Sequence, residues 1–345
     1  MIRPLSLVLL FIATAAFAQE APPIAENITV ERMIVDVRVN DATGKPLANL
    51  KPDDFRVRIG KSLAKVLSVE WVDETVPPEP LPAAETDVDD AKFDTPPAPP
   101  LPAGRLFIYL FQTDFSRANS RVVGQMKVLA TIDDLIDKLQ PEDRVAVFSY
   151  DSHLKFRLDL TSDKAAIREA VSKTLAIDEP PKPPAVAEPS LASRLDAKKM
   201  RDAATPERAL KLVSDALQPF AGHKSLVFFS WGLGHRVAGG VSMGYEYAAL
   251  RQSLADARTS LFAIDMSQAT NHQLEVGLQI VAEESGGLYV RTVRSIAAAY
   301  DRLAGTVSGY YELELQVPAG HKPADVVAID IPKDRFAKVL TVAAY

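Results

Sequence analysis

The chain contains no cysteine. That excludes a disulfide framework and any thiolate zinc site, and leaves an ordinary apolar core as the source of stability. A basic excess is also lacking: 39 Lys and Arg stand against 45 Asp and Glu, a formal net charge of −6. Nothing is present in surplus to neutralise phosphates, so nucleic acid is not an expected partner. After the first twenty residues no uninterrupted apolar run is long enough to span a bilayer. The five histidines, His153, His223, His235, His272 and His321, show no paired metal-ligand spacing and read as solvated loop residues.

What is present begins with MIRPLSLVLLFIATAAFAQE. An early Arg3, an apolar run from Leu5 to Phe17 and the small-residue pattern before Gln19 have the layout of a signal peptide over 1–18, cleaved after Ala18. The expected location is secreted or periplasmic. With no cysteine at the cleavage point, a bacterial lipid anchor is not expected. Two proline-rich stretches then divide the chain. The first, 76–103, carries acid and almost no large apolar residues, and reads as an extended linker. The second, 178–203, is a proline spacer whose second half suits a short helix.

The segment 28–75 alternates. Met33, Val35, Val37 and Val39 fall on one face of a strand, Phe55, Val57 and Ile59 on one face of a second, and VLSVEWV forms a third. The tail, 308–345, supplies YYELELQVP, VVAIDIP and FAKVLTVAAY with the same period. These patterns predict a small β-sandwich in which the two ends pair and the middle is inserted between them. Two separate small sheets fit the same pattern.

Between them, 104–307 alternates apolar strands with amphipathic helices: LFIYLF, RVAVFSY, SLVFFSW and SLFAID among the strands, LKFRLDL as an edge. The apolar residues from Val122 to Leu139, Met126 included, fall at three- and four-residue spacing, which predicts a helix with one buried face. LEVGLQIVAEES is a helix stopped by Gly286-Gly287. The predicted class is α/β, a doubly wound and mainly parallel sheet covered on both faces.

The order LFQTDFSRANS, PEDRVAVFSYDSHLKFRLDLTSD, GHKSLVFFSWGLG, AIDMSQ and AEESGGLYV resembles the von Willebrand factor A domain, and more narrowly the acidobacterial-type VWFA-related secreted proteins. There a β-rich stretch like VDVRVNDATGKPLANLKPDDF precedes the domain and a strand like YYELELQVP follows it. The resemblance covers nearly the whole mature chain and rests on the order of many weak motifs. It implies a cation site at the carboxyl ends of the strands, built from an Asp-x-Ser-x-Ser loop, a Thr and a second Asp. Asp114 and Ser116 match the first two loop positions, Ala118 replaces the third, and Thr205 takes the place of the Thr. Trp231, after Ser230, stands where the second Asp belongs. With so few anionic ligands the expectation is a degenerate site, holding Mg²⁺ weakly or not at all. The preferred reading of Asp114 and Ser116 is as groups that satisfy backbone donors at a strand end, with Asn119 and Ser120 capping the helix that follows.

Two function classes follow. One is an exported, non-enzymatic module that binds a protein or cell-surface ligand through Asp114, Ser116, Asn119, Thr205, Ser230 and Trp231. In it Trp231 and the glycine-rich GLGHRVAGGVSMG form a loop anchor, although the plainer reading of Trp231 is a core residue covering the sheet edge. The other is an exported hydrolase working near Asp114 and Ser230. Phe228 occupies the first glycine position of a nucleophile elbow around Ser230, and the spacing assembles no nucleophile with its base.

Overall fold

The computed structural model describes residues 31–41, 44–75, 104–113, 119–176, 190–267, 272–292, 295–318, 320, 322 and 326–342. The expected leader, the 76–103 stretch, the first half of the 178–203 insertion, Asp114 and Ser116 lie outside them. The chain enters through β1 (Arg32–Asn40), β2 (Arg56–Ile59) and β3 (Ser62–Asp73). It continues through β4 (Leu106–Gln112), α1 (Asn119–Asp137), β5 (Arg144–Tyr150), β6 (Leu154–Thr161), α2 (Lys164–Ala176), α3 (Ala197–Asp202) and α4 (Pro206–Leu217). Then come β7 (Lys224–Ser230), β8 (His235–Val237), β9 (Gly240–Ser242), α5 (Glu246–Asp256), β10 (Thr259–Asp265), α6 (Glu275–Glu284), β11 (Tyr289–Arg291) and α7 (Ile296–Thr306). The last strands are β12 (Gly309–Gln316), β13 (Val327–Asp330) and β14 (Lys338–Thr341).

The central sheet has the order β11-β10-β7-β4-β5-β6. Its pairs are parallel except β5 with β6, which are antiparallel at the edge. Every residue of β4, β7 and β10 is buried, because alternate side chains meet helices on opposite faces. Ile108, Leu110, Leu226 and Phe228 pack with Leu210 and Val213 of α4, Leu250 of α5 and Leu278 of α6. Tyr109, Phe111, Val227 and Phe229 pack with Ile132 of α1, Val171 of α2 and Tyr300 of α7. Each such side chain contributes roughly 1.5–3 kcal/mol by leaving water, so the two helix layers hold the sheet more firmly than helix propensity does.

In α1 the predicted apolar face is only partly the buried one. Ile132, Leu135 and Ile136 are buried, but Val122, Val123 and Met126 are exposed, and Gly124 and Gln125 face inward in their place. The cause is close approach: a Cβ on Gly124 would stand 1.8 Å from the Met266 carbonyl oxygen. α6 ends as expected, with Gly286 at φ +71°. The expected glycine-rich loop after β7 is instead a hairpin, β8 with β9, turned at Gly239 with φ +88°. The second half of the insertion forms α3. It is anchored by Ser190 and Leu191, whose Oγ and N–H donate to the two oxygens of the buried Asp159 carboxylate at 2.5 and 2.9 Å.

The chain ends share one antiparallel sheet, β13-β2-β3-β12-β1-β14. Strand β12 lies between β1 and β3, and β13 beside β2. The expected pair of facing sheets is corrected to a single sheet, because β3 runs through it: Ser62–Ala64 pair with β2, and Lys65–Asp73 with β12. Val35, Val37, Val57, Leu313, Leu315 and Ile329 fill one apolar cluster on one side of it. Tyr311 fastens the entry loop, donating to the Leu47 carbonyl at 2.7 Å and accepting from Leu50 N–H at 3.0 Å. Arg32 is exposed, but Asp36, Arg38 and Asn40, alternating along the rest of β1, do not face water. Asp36 accepts two bonds from Arg258, and Arg38 reaches Glu74, His223 and the Thr306 carbonyl. This second face packs on the amino ends of the central strands.

Candidate functional site

Parallel strands end together, so β4, β7, β10 and β11 deliver Gln112, Ser230, Asp265 and Arg291 to one rim, where α1, α4, α5 and α6 also begin. Neighbouring registers place Ser230 opposite Asp265 and Asp265 opposite Arg291.

Ser230 is fully buried. Its hydroxyl lies 2.5 Å from Gln112 Oε1, to which it donates, and its Oγ accepts the Gly232 N–H at 3.1 Å. Gln125 closes the same corner, donating to the Gln112 carbonyl at 3.1 Å. Trp231 is 4% exposed, packed in the core with Ile264 and Met266. Neither residue presents a surface: Trp231 takes the core reading, and its place in the ligand-binding rim is corrected. Its aromatic area is spent between the sheet and the helix layer. Thr205 caps α4, accepting Arg208 N–H at 3.3 Å and donating to Glu246 Oε2 at 2.5 Å. Asn119 is the first residue of α1. Asp114 and Ser116 lie outside the described residues.

Of the groups expected around a magnesium ion, only Thr205 and Ser230 lie among the described residues. Thr205 and Ser230 share no partner, both hydroxyls are committed to protein bonds, and the loop after β7 brings no carboxylate. The bonds of Ser230 go to Gln112 and Gly232, and none of them is to a base. A Ser260–His223–Glu74 line does exist, with His223 Nε2 at 3.0 Å from Ser260 Oγ. It is buried, and the Arg38 guanidinium sits 3.1 and 3.2 Å from the two ring nitrogens, leaving no free base.

Thr205, Glu207, His235, Met243, Gly244, Tyr245 and Glu246 line a cavity of about 100 Å³ between the hairpin and the starts of α4 and α5. Burial pushes the Glu207 carboxyl above its ordinary value, opposed by hydrogen bonds from its own backbone N–H and from Gly234. The Thr205 hydroxyl, with help from Arg208, holds Glu246 below its own against the desolvation it feels. Tyr245 at the mouth is 84% exposed.

A third group at the rim has no precedent in the motifs. Asp265 is buried; Oδ1 accepts Ser267 N–H at 2.8 Å, and Oδ2 accepts the Tyr289 hydroxyl at 2.8 Å and lies 2.9 Å from His272 Nε2. Arg291 donates to the Tyr289 oxygen at 3.2 Å and pairs with Glu275. Burial, then the Asp265 charge, raises the Tyr289 phenol well above its ordinary range. His223 and His272 are thus not solvated loop histidines: both are tied into polar clusters. The legible signal was a carboxylate ending the otherwise apolar SLFAID, with a histidine seven residues on.

No protein-family model matches the chain, and no curated protein matches it. Solved structures do. The chain is similar to a conserved hypothetical protein, BatB, from Bacteroides thetaiotaomicron (14% identity, TM-score 0.38, 59% of this chain and 98% of that one). It is similar to the vWF domain of the type V pili tip protein Mfa5 from Porphyromonas gingivalis (11%, 0.39, 59% and 94%). A third is the PilB minor pilin from Streptococcus sanguinis (14%, 0.36, 59% and 61%), so the match spans about three fifths of that pilin. At such identities and scores the chemistry of those proteins stays with them, and the architecture stands on this chain's own strand order.

Proposed function

We propose that this chain is an exported, non-enzymatic binding module of von Willebrand factor A-like architecture, whose rim engages a protein or cell-surface ligand. The antiparallel sheet built from the chain ends is its base.

One observation carries the reading. Among the described residues six of the ten exposed large apolar side chains gather at the rim: Val122, Val123 and Met126 on the first turns of α1, Val237 on the hairpin, Tyr245 before α5 and Val276 on α6; the other four, Ile34, Leu63, Val326 and Phe336, are scattered on and beside the antiparallel sheet. Exposed apolar area concentrated on loops and helix starts over a rigid sheet is what a protein interface needs. The rim hydroxyls of Ser230 and Thr205, by contrast, are spent on internal bonds.

The test is site-specific photocrosslinking in the source cells, with a benzophenone side chain at Tyr245 or Val123 and, as control, at Phe336 beyond β13. Discrete adducts at the two rim positions and none at Phe336 support the reading. Adducts at Phe336 alone, or at none of the three, overturn it.

A further inference from the structure

We propose that Asp265, His272 and Glu275 form a binding site for a transition-metal dication of the Zn²⁺ class, between the end of β10 and the first turn of α6. One donor atom from each side chain lies within 4.8 Å of those of the other two. His272 Nε2 and Asp265 Oδ2, 2.9 Å apart, now share a proton. Zinc–nitrogen and zinc–oxygen distances of about 2.0–2.2 Å set neighbouring ligand atoms roughly 3.3 Å apart. An ion that displaces that proton needs only small side-chain rotations to be enclosed.

The donor set selects the metal. One imidazole nitrogen with two carboxylates suits zinc and its first-row neighbours, whereas Mg²⁺ and Ca²⁺ favour all-oxygen shells that keep water or take many ligands. Three protein ligands leave a position open for water or for a partner's donor.

One further feature points to a ligand here. Ser267 Oγ, two residues from Asp265 and only 7% exposed as a residue, has no hydrogen-bond partner. Glu275 is held in place by its ion pair with the Arg291 guanidinium. Asp265, meanwhile, is already oriented by the Ser267 N–H and the Tyr289 hydroxyl, and Tyr289 is held by Arg291. Such outer bonds fix the ligands of metal sites. The two carboxylates and Arg291 sum to one negative charge, so Arg291 is the cation that an incoming metal outcompetes.

The test uses the whole mature chain, freed of metal with a chelator and titrated with ZnCl₂, MgCl₂ or CoCl₂ by calorimetry and visible absorption. One Zn²⁺ per chain, Co²⁺ d–d bands of a nitrogen–oxygen site and no Mg²⁺ heat are expected. His272→Gln, at a partly exposed position, keeps the fold by circular dichroism and weakens Zn²⁺ binding by on the order of 100-fold. Asp265→Asn does the same where it folds. Asp114→Ala leaves the titration unchanged, which separates this site from the loop after β4. Absence of Zn²⁺ uptake by the folded wild type overturns the proposal. So does uptake that His272→Gln leaves intact.

Discussion

Replacing Arg38 by methionine tests how the two sheets are joined. The guanidinium is 2% exposed, donates to the Thr306 carbonyl at 3.0 Å and to Glu74 Oε2 at 2.6 Å, touches both nitrogens of His223 and lies over the Tyr310 ring. Methionine keeps most of the packing but strands Glu74, a carboxylate 9% exposed whose pKa burial raises even with the arginine in place. Breaking a buried pair from one side costs about 3–5 kcal/mol, a large part of the ~5–15 kcal/mol that holds a folded protein together. Replacing both partners, Arg38→Met with Glu74→Leu, removes the uncompensated charge. The double variant is therefore expected to recover roughly 2–3 kcal/mol relative to the sum of the single losses. Urea denaturation reads this directly, because the two tryptophans report on different layers: Trp71 in β3 and Trp231 beside β7. A single-variant loss under about 1 kcal/mol, or a double loss equal to the sum of the singles, refutes the reasoning.

The same cluster sets a pH response. Burial, then the charges of Arg38, Lys224 and Arg258, hold His223 well below the ordinary 6.5, so the folded chain keeps it neutral where the unfolded chain binds a proton. Its contribution is complete above pH 6.5 and falls by ~1.4 kcal/mol per pH unit below it until the folded value is reached. Glu74, with its raised pKa, opposes this by holding a proton in the folded state at low pH. The measurement is accordingly the difference in slope between wild type and His223→Gln from pH 7 down to 5, and equal slopes count against it. Gly124→Ala drives a methyl onto the Met266 carbonyl and is expected to cost ~1–3 kcal/mol by denaturation, with no effect counting against the close approach. Ser230→Ala leaves the Gly232 N–H without its hydroxyl acceptor in a buried corner, an expected loss of ~1–3 kcal/mol. A neutral result there counts against the hydroxyl being needed to satisfy that corner.

The buried strands were the most legible part of the chain. LFIYLF, the LVFF of SLVFFSW and the LFAI of SLFAID are unbroken apolar runs, and a strand of that kind finds burial between two helix layers. Period-two alternation likewise named the apolar faces of β1, β2 and β12. It left the environment of the other face of β1 open, because alternation reports which side chains are polar and not whether a second layer covers them. Asp36 and Arg38 are charged and buried together, their partners Arg258 and His223 more than 180 residues away. Val122, Val123 and Met126 were misplaced for a related reason: the first turns of α1 turn Gly124 and Gln125 inward to meet a loop whose position no local pattern encodes.

What the sequence alone determined is local: strand and helix periods, the α6 stop at Gly286, the short helix ending the insertion, and the shortage of acid in the loop after β7. What only the tertiary structure decided is which distant groups meet. Ser230 is tied to Gln112, Trp231 goes into the core, Tyr245 is left in solvent, and Asp265 gathers His272, Tyr289 and, through Arg291, Glu275 at the rim. Backbone periodicity depends on a residue and its near neighbours. Coordination and ion pairing depend on side-chain atoms within a few ångströms, and those distances exist only after the chain has closed.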